Sequence, residues 1–320
     1  MPDDQGIARG REAEHPRHIP PGGWKDVLVR SWQELSDNSI FLIAGGVTYA
    51  GLVALFPALA ALVSLYGLVL DPAQVEQQVT ALTGVVPEQT QQLISAQLHQ
   101  LVSASNGALG FGAVFGLALA LWTASRGMSG TINALNIAYD QKETRSFVRL
   151  NLLALTLTLG MIVGGLVVIA LVAILPAIVG ALGLGGVTAW LLLILEWPLL
   201  MLFIMAALAM LYRYAPDRHI AKWRWVSPGA VVATALWLVA SIAFSAYVSN
   251  FNSYNKTYGS LGAAIVLLTW LYWSAFIVLL GAVINNQAER QTRRDSTIEP
   301  PQPMGRRGAT AADTLGRDTG

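Results

Sequence analysis

The chain has 320 residues, of which 54% are apolar and only 12% are charged. In an average soluble domain about a quarter of the residues are charged, so this composition is typical of a membrane protein. The formal net charge of +1 averages opposed local biases, and the absence of cysteine excludes disulfides, thiolate metal sites and cysteine nucleophiles.

The N-terminal segment changes character at residue 24. Residues 1–23 are rich in charge, proline and glycine, which predicts a disordered cytoplasmic tail. In residues 24–37 apolar side chains recur at helical spacing, namely Trp24, Val27, Leu28, Trp32 and Leu35. This spacing predicts an amphipathic helix at the membrane interface, or alternatively a helix that packs on cytoplasmic loops.

Six apolar segments are long enough to cross a bilayer, which takes about 20 residues. They cover residues 38–70, 107–125, 150–179, 187–212, 227–249 and 261–285. The first segment is too long for a signal-peptide core, so we expect it to remain as a membrane span. Residues 24–290 are therefore predicted to form one transmembrane domain, an all-α polytopic bundle of six helices. Pro57 and Pro198 predict a kink or break in the first and fourth spans.

Two further segments are polar. Residues 71–106 contain neither lysine nor arginine, and their apolar residues recur at helical spacing in two pieces. This pattern predicts short amphipathic helices in the first periplasmic loop, which either cap a cavity or rest on the lipid. Residues 291–320 are rich in arginine, proline, glycine and threonine, which predicts a second disordered cytoplasmic tail.

The distribution of positive charge predicts the orientation. In the six-span arrangement both tails, Arg126 and the loops 140–149 and 213–224 lie on one side, and nearly all lysine and arginine residues belong to these segments. The segments on the other side contain a single positive residue, Lys256. Positive residues collect on the cytoplasmic side of membrane proteins. Both termini are therefore predicted to lie in the cytoplasm.

Ionisable residues inside a membrane are costly and are therefore candidates for function. Glu196 is expected about 14 Å into the fourth span, where its carboxyl group resists ionisation and could carry a proton. A protonated glutamate bonded to a neighbouring helix, or one drawn toward the outer headgroups, is the alternative. The remaining members of this candidate substrate or proton site are Tyr49, Arg126, Asn133 and Asn136. An interfacial arginine with its charge in the headgroups also explains Arg126.

The sequence predicts no enzyme. It contains no Walker loop and no HExxH or GxSxG motif, and its four histidines form no ligand pair at helical spacing. We therefore expect no catalytic residue, metal or cofactor. Membrane lipids are the expected partners, and nucleic acid is not, because the positive-inside bias already explains the basic tails.

Several motifs together resemble the YihY/BrkB family of bacterial inner-membrane proteins. They lie in residues 122–128, 134–139, 211–218, 228–230, 247–251 and 254–263. The resemblance covers residues 24–290. It implies a multi-pass protein of the bacterial inner membrane, with six spans and both termini in the cytoplasm.

The resemblance also implies family-motif residues, which are Arg213, Tyr254, Asn255, Tyr258 and Gly259. Glu196 departs from the family pattern, which often has a basic residue at this position. Names used within the family include a virulence or serum-resistance factor and ribonuclease BN, and a transporter-like role toward envelope lipids is implied for some members. No catalytic constellation supports the ribonuclease label. The kinks expected at Pro57 and Pro198, Glu196 near the midplane and the polar residues at the inner end of the second span favour a transporter or flippase of an amphipathic, lipid-like envelope molecule. A scaffold for envelope biogenesis that transports nothing is the alternative.

Overall fold

The computed structural model describes residues 9–69, 109–181, 186–249, 260–298 and 300–318. These residues are mostly helical, and a single-residue bridge pairs Ala221 with Thr297. The all-helical fold class predicted from composition and hydropathy is thereby confirmed. The amphipathic segment predicted in residues 71–106 lies outside the described residues.

Six long helices and one shorter helix make up most of the described chain. They are α1 (Pro21–Asp37), α2 (Ile40–Val69), α3 (Leu109–Ala138), α4 (Phe147–Ala181), α5 (Gly186–Tyr214), α6 (Trp223–Ser249) and α7 (Ser260–Glu289). A 3-10 turn at Pro16–His18 precedes α1, and the four-residue helix α8 (Thr310–Asp313) follows α7.

The six long helices pack in a closed ring. Each helix from α2 to α7 contacts the next one along the chain, and α7 closes the ring by packing on α2 and also on α3. Helix α1 lies against α7 and α2. At one end of the ring α3, α5 and α7 end and α4 and α6 begin, and we call this the polar end.

Five of these helices contain a stretch long and apolar enough to cross a membrane. The stretches are Ile40–Ala58, Phe147–Val168, Trp197–Tyr214, Trp223–Val248 and Ala264–Glu289. They overlap five of the six predicted spans. Among the residues of α3 whose side chains the structure describes, no such stretch is found. The predicted number of six spans is therefore not confirmed.

Both prolines predicted to break spans lie inside continuous helices. Helix α2 runs from Ile40 to Val69 through Pro57, and α5 runs from Gly186 to Tyr214 through Pro198. Proline removes one backbone hydrogen bond, but in a long membrane helix the neighbouring turns and helices can compensate for that loss.

The most deeply buried part of the core lies near the polar end. Large side chains there are almost fully buried, among them Tyr139, Tyr212, Leu279 and Val226. Helices α6 and α7 come into backbone contact at Gly229 and Gly281, because a Cβ atom on Gly229 would collide with the carbonyl oxygen of Gly281. Close approach of helices through small residues is the usual packing mode in membranes.

Helix α1 packs on the bundle through a partly polar face. Arg30 donates from Nε to Gln287 Oε1 at 2.9 Å and from Nη2 to Gln291 Oε1 at 2.7 Å. The opposite face exposes Leu28 by 55% and Trp32 by 70%. The predicted helix is present, and its position at a membrane interface remains a prediction.

The described parts of both tails lie against the polar end, and the disorder expected from their composition stays a prediction. Arg11 donates from Nη2 to the carbonyl oxygen of Gly316 at 2.7 Å, so the two tails contact each other. Arg307 donates from Nη1 to the carbonyl oxygen of Ala312 at 2.7 Å and from Nη2 to that of Arg293 at 2.8 Å. These arginine-to-backbone hydrogen bonds hold the segments together with a small apolar cluster, in which Ala13 and Ile19 are buried against Trp225.

Candidate functional site

A cavity of about 240 Å³ lies between α6 and α7. We call it the aromatic cavity, and its lining residues are Trp237, Ala240, Ser241, Ala243, Phe244, Trp270, Trp273, Ser274 and Ile277. Trp237, Ser241 and Phe244 follow one another at spacings of four and three on α6. Trp270, Ser274 and Ile277 have the same spacing on α7. Side chains so spaced share a helix face, which explains why two separate helices wall one cavity.

Three polar groups interrupt the aromatic and aliphatic walls. Trp237 donates from Nε1 to Ser274 Oγ at 3.0 Å, and its ring meets that of Trp270 edge-on with the centroids 5.9 Å apart. The Ser241 hydroxyl oxygen is buried and makes no hydrogen bond to any described residue. A buried unpaired hydroxyl costs about 1–3 kcal/mol, so a ligand that supplies a partner for Ser241 is favoured.

The aromatic cavity lies inside the membrane-spanning part of the bundle. Trp237 is about 21 Å along α6 from Trp223, at the rise of an α-helix. On α7, Ser274 lies about 22 Å from Glu289 by the same measure. Both helices are apolar enough to span a membrane over these lengths. Trp273 is 47% exposed at the edge of the cavity, so the cavity opens toward the lipid-facing surface.

The polar end contains a cluster of fully buried charged side chains, which is separate from the aromatic cavity. Arg218 donates from Nη1 to Glu289 Oε1 at 2.9 Å, and both side chains are completely buried. The guanidinium carbon of Arg218 lies 4.2 Å from the ring centre of Tyr139, and Ser296 donates its hydroxyl to Glu289 Oε2 at 2.7 Å. This cluster therefore joins the α5–α6 loop, the end of α7, the end of α3 and the C-terminal tail.

Burial and the neighbouring charge act in opposite directions on Arg218. Burial alone would lower the pKa of its guanidinium, but the Glu289 carboxylate raises the pKa above its ordinary value. Burial raises the pKa of the Tyr139 hydroxyl well above its ordinary value. At neutral pH the cluster accordingly holds a charged arginine over a neutral tyrosine, which suits a structural connection more than proton transfer.

Asn136 lies in a network that links two loops at the polar end. It donates from Nδ2 to Glu143 Oε2 at 2.8 Å, and its Oδ1 accepts the backbone N–H of Asp217 at 2.7 Å. Arg145 contacts Glu143 at 2.7 Å and Asp217 at 3.6 Å. Although burial acts in the other direction, hydrogen bonds from Arg145 and Asn136 lower the pKa of Glu143. These contacts give Asn136 a role in fixing the loops.

The other residues predicted from the sequence do not line the aromatic cavity where the structure describes their side chains. Arg126 is exposed and donates from Nη1 to Asn151 Oδ1 at 3.2 Å. Asn133 is exposed, and Tyr49 is 70% exposed. The backbone of Glu196 belongs to α5, but its side chain lies outside the description.

Four of the family-motif residues are also outside the described residues, namely Tyr254, Asn255, Tyr258 and Gly259. The predicted substrate or proton site therefore stays a prediction. Arg213, the fifth family-motif residue, is 8% exposed at the end of α5, and its guanidinium carbon lies 4.3 Å from the ring centre of Trp223.

Sequence reasoning missed the residues of the aromatic cavity. The available signal was a tryptophan followed four residues later by a serine, which occurs as Trp237 with Ser241 on α6 and as Trp270 with Ser274 on α7. Within the described residues, no group of three or more histidine, aspartate or glutamate side chains could hold a metal ion.

Comparison with known proteins relates most of this chain to one family. The model of the family described as virulence factor BrkB matches residues 31–305. The ribonuclease-like protein YfkH of Bacillus subtilis (strain 168) is 35% identical over 247 residues, which are 75% of this chain and 86% of that protein. No solved structure matches the chain significantly.

Proteins named UPF0761 membrane protein are also similar to the chain. One from Pseudoalteromonas translucida is 25% identical over 267 residues, covering 82% of this chain and 84% of that protein. Another, from Idiomarina loihiensis, is 33% identical over 94 residues, covering 29% of this chain and 31% of that protein.

Proposed function

The chain belongs to the BrkB virulence factor family of integral membrane proteins, and from this premise we propose that it transports an amphipathic, lipid-like molecule of the cell envelope. The proposed activity is translocation across the membrane without an enzymatic reaction. The observation that supports it is the aromatic cavity, which combines a lipid-side opening with a buried serine hydroxyl that lacks a partner.

The size of the cavity suggests which part of the molecule enters it. Clefts that bury a whole small-molecule ligand measure about 300–1,000 Å³. The aromatic cavity, at about 240 Å³, is smaller. Its walls are mostly aromatic and aliphatic, so the occupant is an acyl or prenyl chain segment. A carbonyl or ether oxygen near that segment would meet the Ser241 hydroxyl.

The orientation follows from the charge distribution. Arginines gather at the polar end, including Arg145, Arg149, Arg218, Arg224 and Arg290, and the positive-inside rule favours placing that end in the cytoplasm. The proposed location is the bacterial inner membrane with both termini cytoplasmic.

Glu196 is the proposed proton carrier of the transport cycle. Its backbone position on α5 is about 27 Å from Tyr214 along the helix, and Ser241 is about 27 Å from Trp223 along α6. Since α5 and α6 pack against each other, the two residues lie at a similar depth. Glu196→Gln should therefore make transport independent of pH between about 5 and 8, whereas an unchanged pH profile would remove Glu196 from the mechanism.

Reconstitution into liposomes tests the transport. Liposomes containing the purified protein should move a fluorescent phospholipid between leaflets faster than protein-free liposomes do. Ser241→Leu fills the aromatic cavity and removes its free hydroxyl. The leucine side chain occupies the space that the chain segment would enter, so we expect the protein-dependent rate to fall about tenfold or more, which corresponds to about 1.4 kcal/mol.

A matched control lies one turn away on the same helix. Ser245 is exposed and does not line the cavity, so Ser245→Leu makes the same chemical change outside it. We expect Ser245→Leu to keep the wild-type rate. Equal rates in liposomes with and without the wild-type protein would contradict the proposal.

A scaffold without transport is the second candidate, and the folded polar end favours it. There the two tails and α1 form a continuous ordered surface of the kind that a partner protein could bind. A scaffold predicts that the protein leaves lipid movement unchanged and co-purifies with a partner of fixed stoichiometry. Deletion of residues 300–318 should then release that partner.

The ribonuclease-like name of YfkH supports no proposal for this chain. Hydrolysis of RNA needs a metal or an acid–base pair at the scissile phosphate. The described residues contain no group that could hold a metal ion. Cleavage of RNA by the purified protein, abolished in a single-residue variant, would overturn this view.

A further inference from the structure

Arg213 lies where two membrane-spanning stretches reach the polar end. The stretch Trp197–Tyr214 ends one residue after it, and the next stretch begins at Trp223. Only 8% of Arg213 is exposed. Its guanidinium carbon lies 4.3 Å from the ring centre of Trp223 and 5.5 Å from that of Tyr214. A buried cation thus lies beside two aromatic rings, which also meet each other edge-on with their centroids 6.2 Å apart.

The guanidinium group of Arg213 has donors without acceptors. Its Nε and Nη1 atoms are buried and make no hydrogen bond to any residue that the structure describes. Two other arginines of the polar end have a carboxylate partner, namely Arg145 with Glu143 at 2.7 Å and Arg218 with Glu289 at 2.9 Å, although Nε and Nη2 of Arg218 are also unpaired. Aromatic rings offset only part of the cost of removing a charge from water. The remaining donors call for an anionic acceptor.

The two rings indicate the level at which this acceptor lies. Tyr214 is 41% exposed and Trp223 is 47% exposed. Tyrosine and tryptophan are enriched at the level of lipid headgroups, where their rings are half in hydrocarbon and half in water. The half-exposed Trp223 ring, which lies 4.3 Å from the guanidinium carbon, therefore places Arg213 at this level.

We infer that Arg213 binds the phosphate of an anionic phospholipid headgroup, with the rings of Tyr214 and Trp223 beside it. The planar guanidinium group presents adjacent N–H donors that match two phosphate oxygens. This headgroup site is separated from the aromatic cavity by about 21 Å along α6. It therefore requires no transport and is independent of the proposed function.

Lipid retention tests this site. The full-length protein in a neutral detergent is titrated with phosphatidylglycerol, and native mass spectrometry counts the bound lipids. Arg213→Gln should weaken binding of the tightest lipid about tenfold, as expected for loss of a charge-assisted hydrogen bond. Arg149→Gln removes an exposed arginine at the same end of the bundle and should leave that lipid bound. Equal loss in both variants, or no loss in Arg213→Gln, would overturn the inference.

Further experiments distinguish a lipid headgroup from other ligands of Arg213. Inorganic phosphate in excess should not displace the lipid, and displacement would identify a free-phosphate site instead. If Arg213→Gln does not fold, Arg213→Lys replaces it, because lysine keeps the charge and loses the planar fork. The Arg213→Lys variant should retain less phosphatidylglycerol than the wild type but should still bind some. If it retains as much lipid as the wild type, the site is not bidentate. Phosphatidylglycerol should also raise the unfolding midpoint of the wild type but not of Arg213→Gln.

Discussion

At the scale of single residues, the Arg218–Glu289 ion pair makes the clearest prediction for stability. Both side chains are fully buried and 2.9 Å apart. Glu289→Gln removes the countercharge and leaves Arg218 buried without it. Breaking a buried pair on one side costs about 3–5 kcal/mol. We therefore expect a much lower thermal unfolding midpoint for Glu289→Gln in detergent.

The control for this pair replaces both partners. In Arg218→Met combined with Glu289→Leu, no uncompensated charge remains and the volume is roughly kept. The double variant should therefore be more stable than Glu289→Gln alone. If Glu289→Gln is as stable as wild type, the pair does not hold the polar end together.

Residue-level predictions from the sequence had mixed value. Asn136 was selected as a candidate for substrate binding, and the structure gives its amide two loop contacts, with Glu143 and with the backbone of Asp217. These partners are distant in sequence, so no local pattern indicates them. Trp237 and Ser241 were overlooked because a tryptophan in an apolar segment is ordinarily a lipid contact or part of the core. Only their pairing with α7 reveals a cavity.

At the scale of secondary-structure elements, the contact between α6 and α7 depends on Gly229. A Cβ atom there would collide with the backbone carbonyl of Gly281, which has no rotamer to move away. Gly229→Ala should therefore push α6 and α7 apart, and overpacking of this type costs about 1–3 kcal/mol. We expect a lower unfolding midpoint and reduced transport, because the same two helices wall the aromatic cavity.

Gly160 on α4 provides the matched control. A Cβ atom at Gly160 meets no atom within 4 Å. Gly160→Ala also replaces a flexible residue inside a helix, which favours stability by about 0.5–1 kcal/mol. A loss of stability in Gly160→Ala equal to that in Gly229→Ala would show that the helix crossing is not the cause.

The sequence predicted where most elements lie but not how they continue or pack. Hydropathy identified the helices because each needs a long apolar segment, and five of them are apolar enough to span a membrane. It did not predict that α2 and α5 continue through Pro57 and Pro198. Composition also does not predict the contact between the two tails, because Arg11 finds its hydrogen-bond acceptor on the backbone of Gly316, 305 residues away. Such pairings leave no periodic signal.

At the scale of the whole molecule, the charge asymmetry predicts the orientation. The natural absence of cysteine allows single cysteines to be introduced and labelled without further changes. With a membrane-impermeant maleimide on intact cells, Lys256→Cys should be labelled and Arg306→Cys should not. Arg306 is exposed, so it should react once the cells are permeabilised. The reverse pattern would place the termini outside.

The resemblance recognised in the motifs is confirmed over residues 31–305, whereas the family name specifies no substrate. Membership in a family of membrane proteins limits the location and the fold. The aromatic cavity between α6 and α7 is the feature that links this fold to a lipid-like ligand. The proposed transport therefore requires that such a molecule occupies the cavity.

Photolabelling tests that occupancy most directly. The protein is reconstituted with a phospholipid that carries a photoreactive group in its acyl chain, irradiated and digested, and the labelled peptides are identified. We expect the labels to concentrate on the α6 segment around Ser241 and the α7 segment around Ser274, and to be strongly reduced by Ser241→Leu. Labels spread evenly over the lipid-facing helices, with no change in Ser241→Leu, would contradict this expectation.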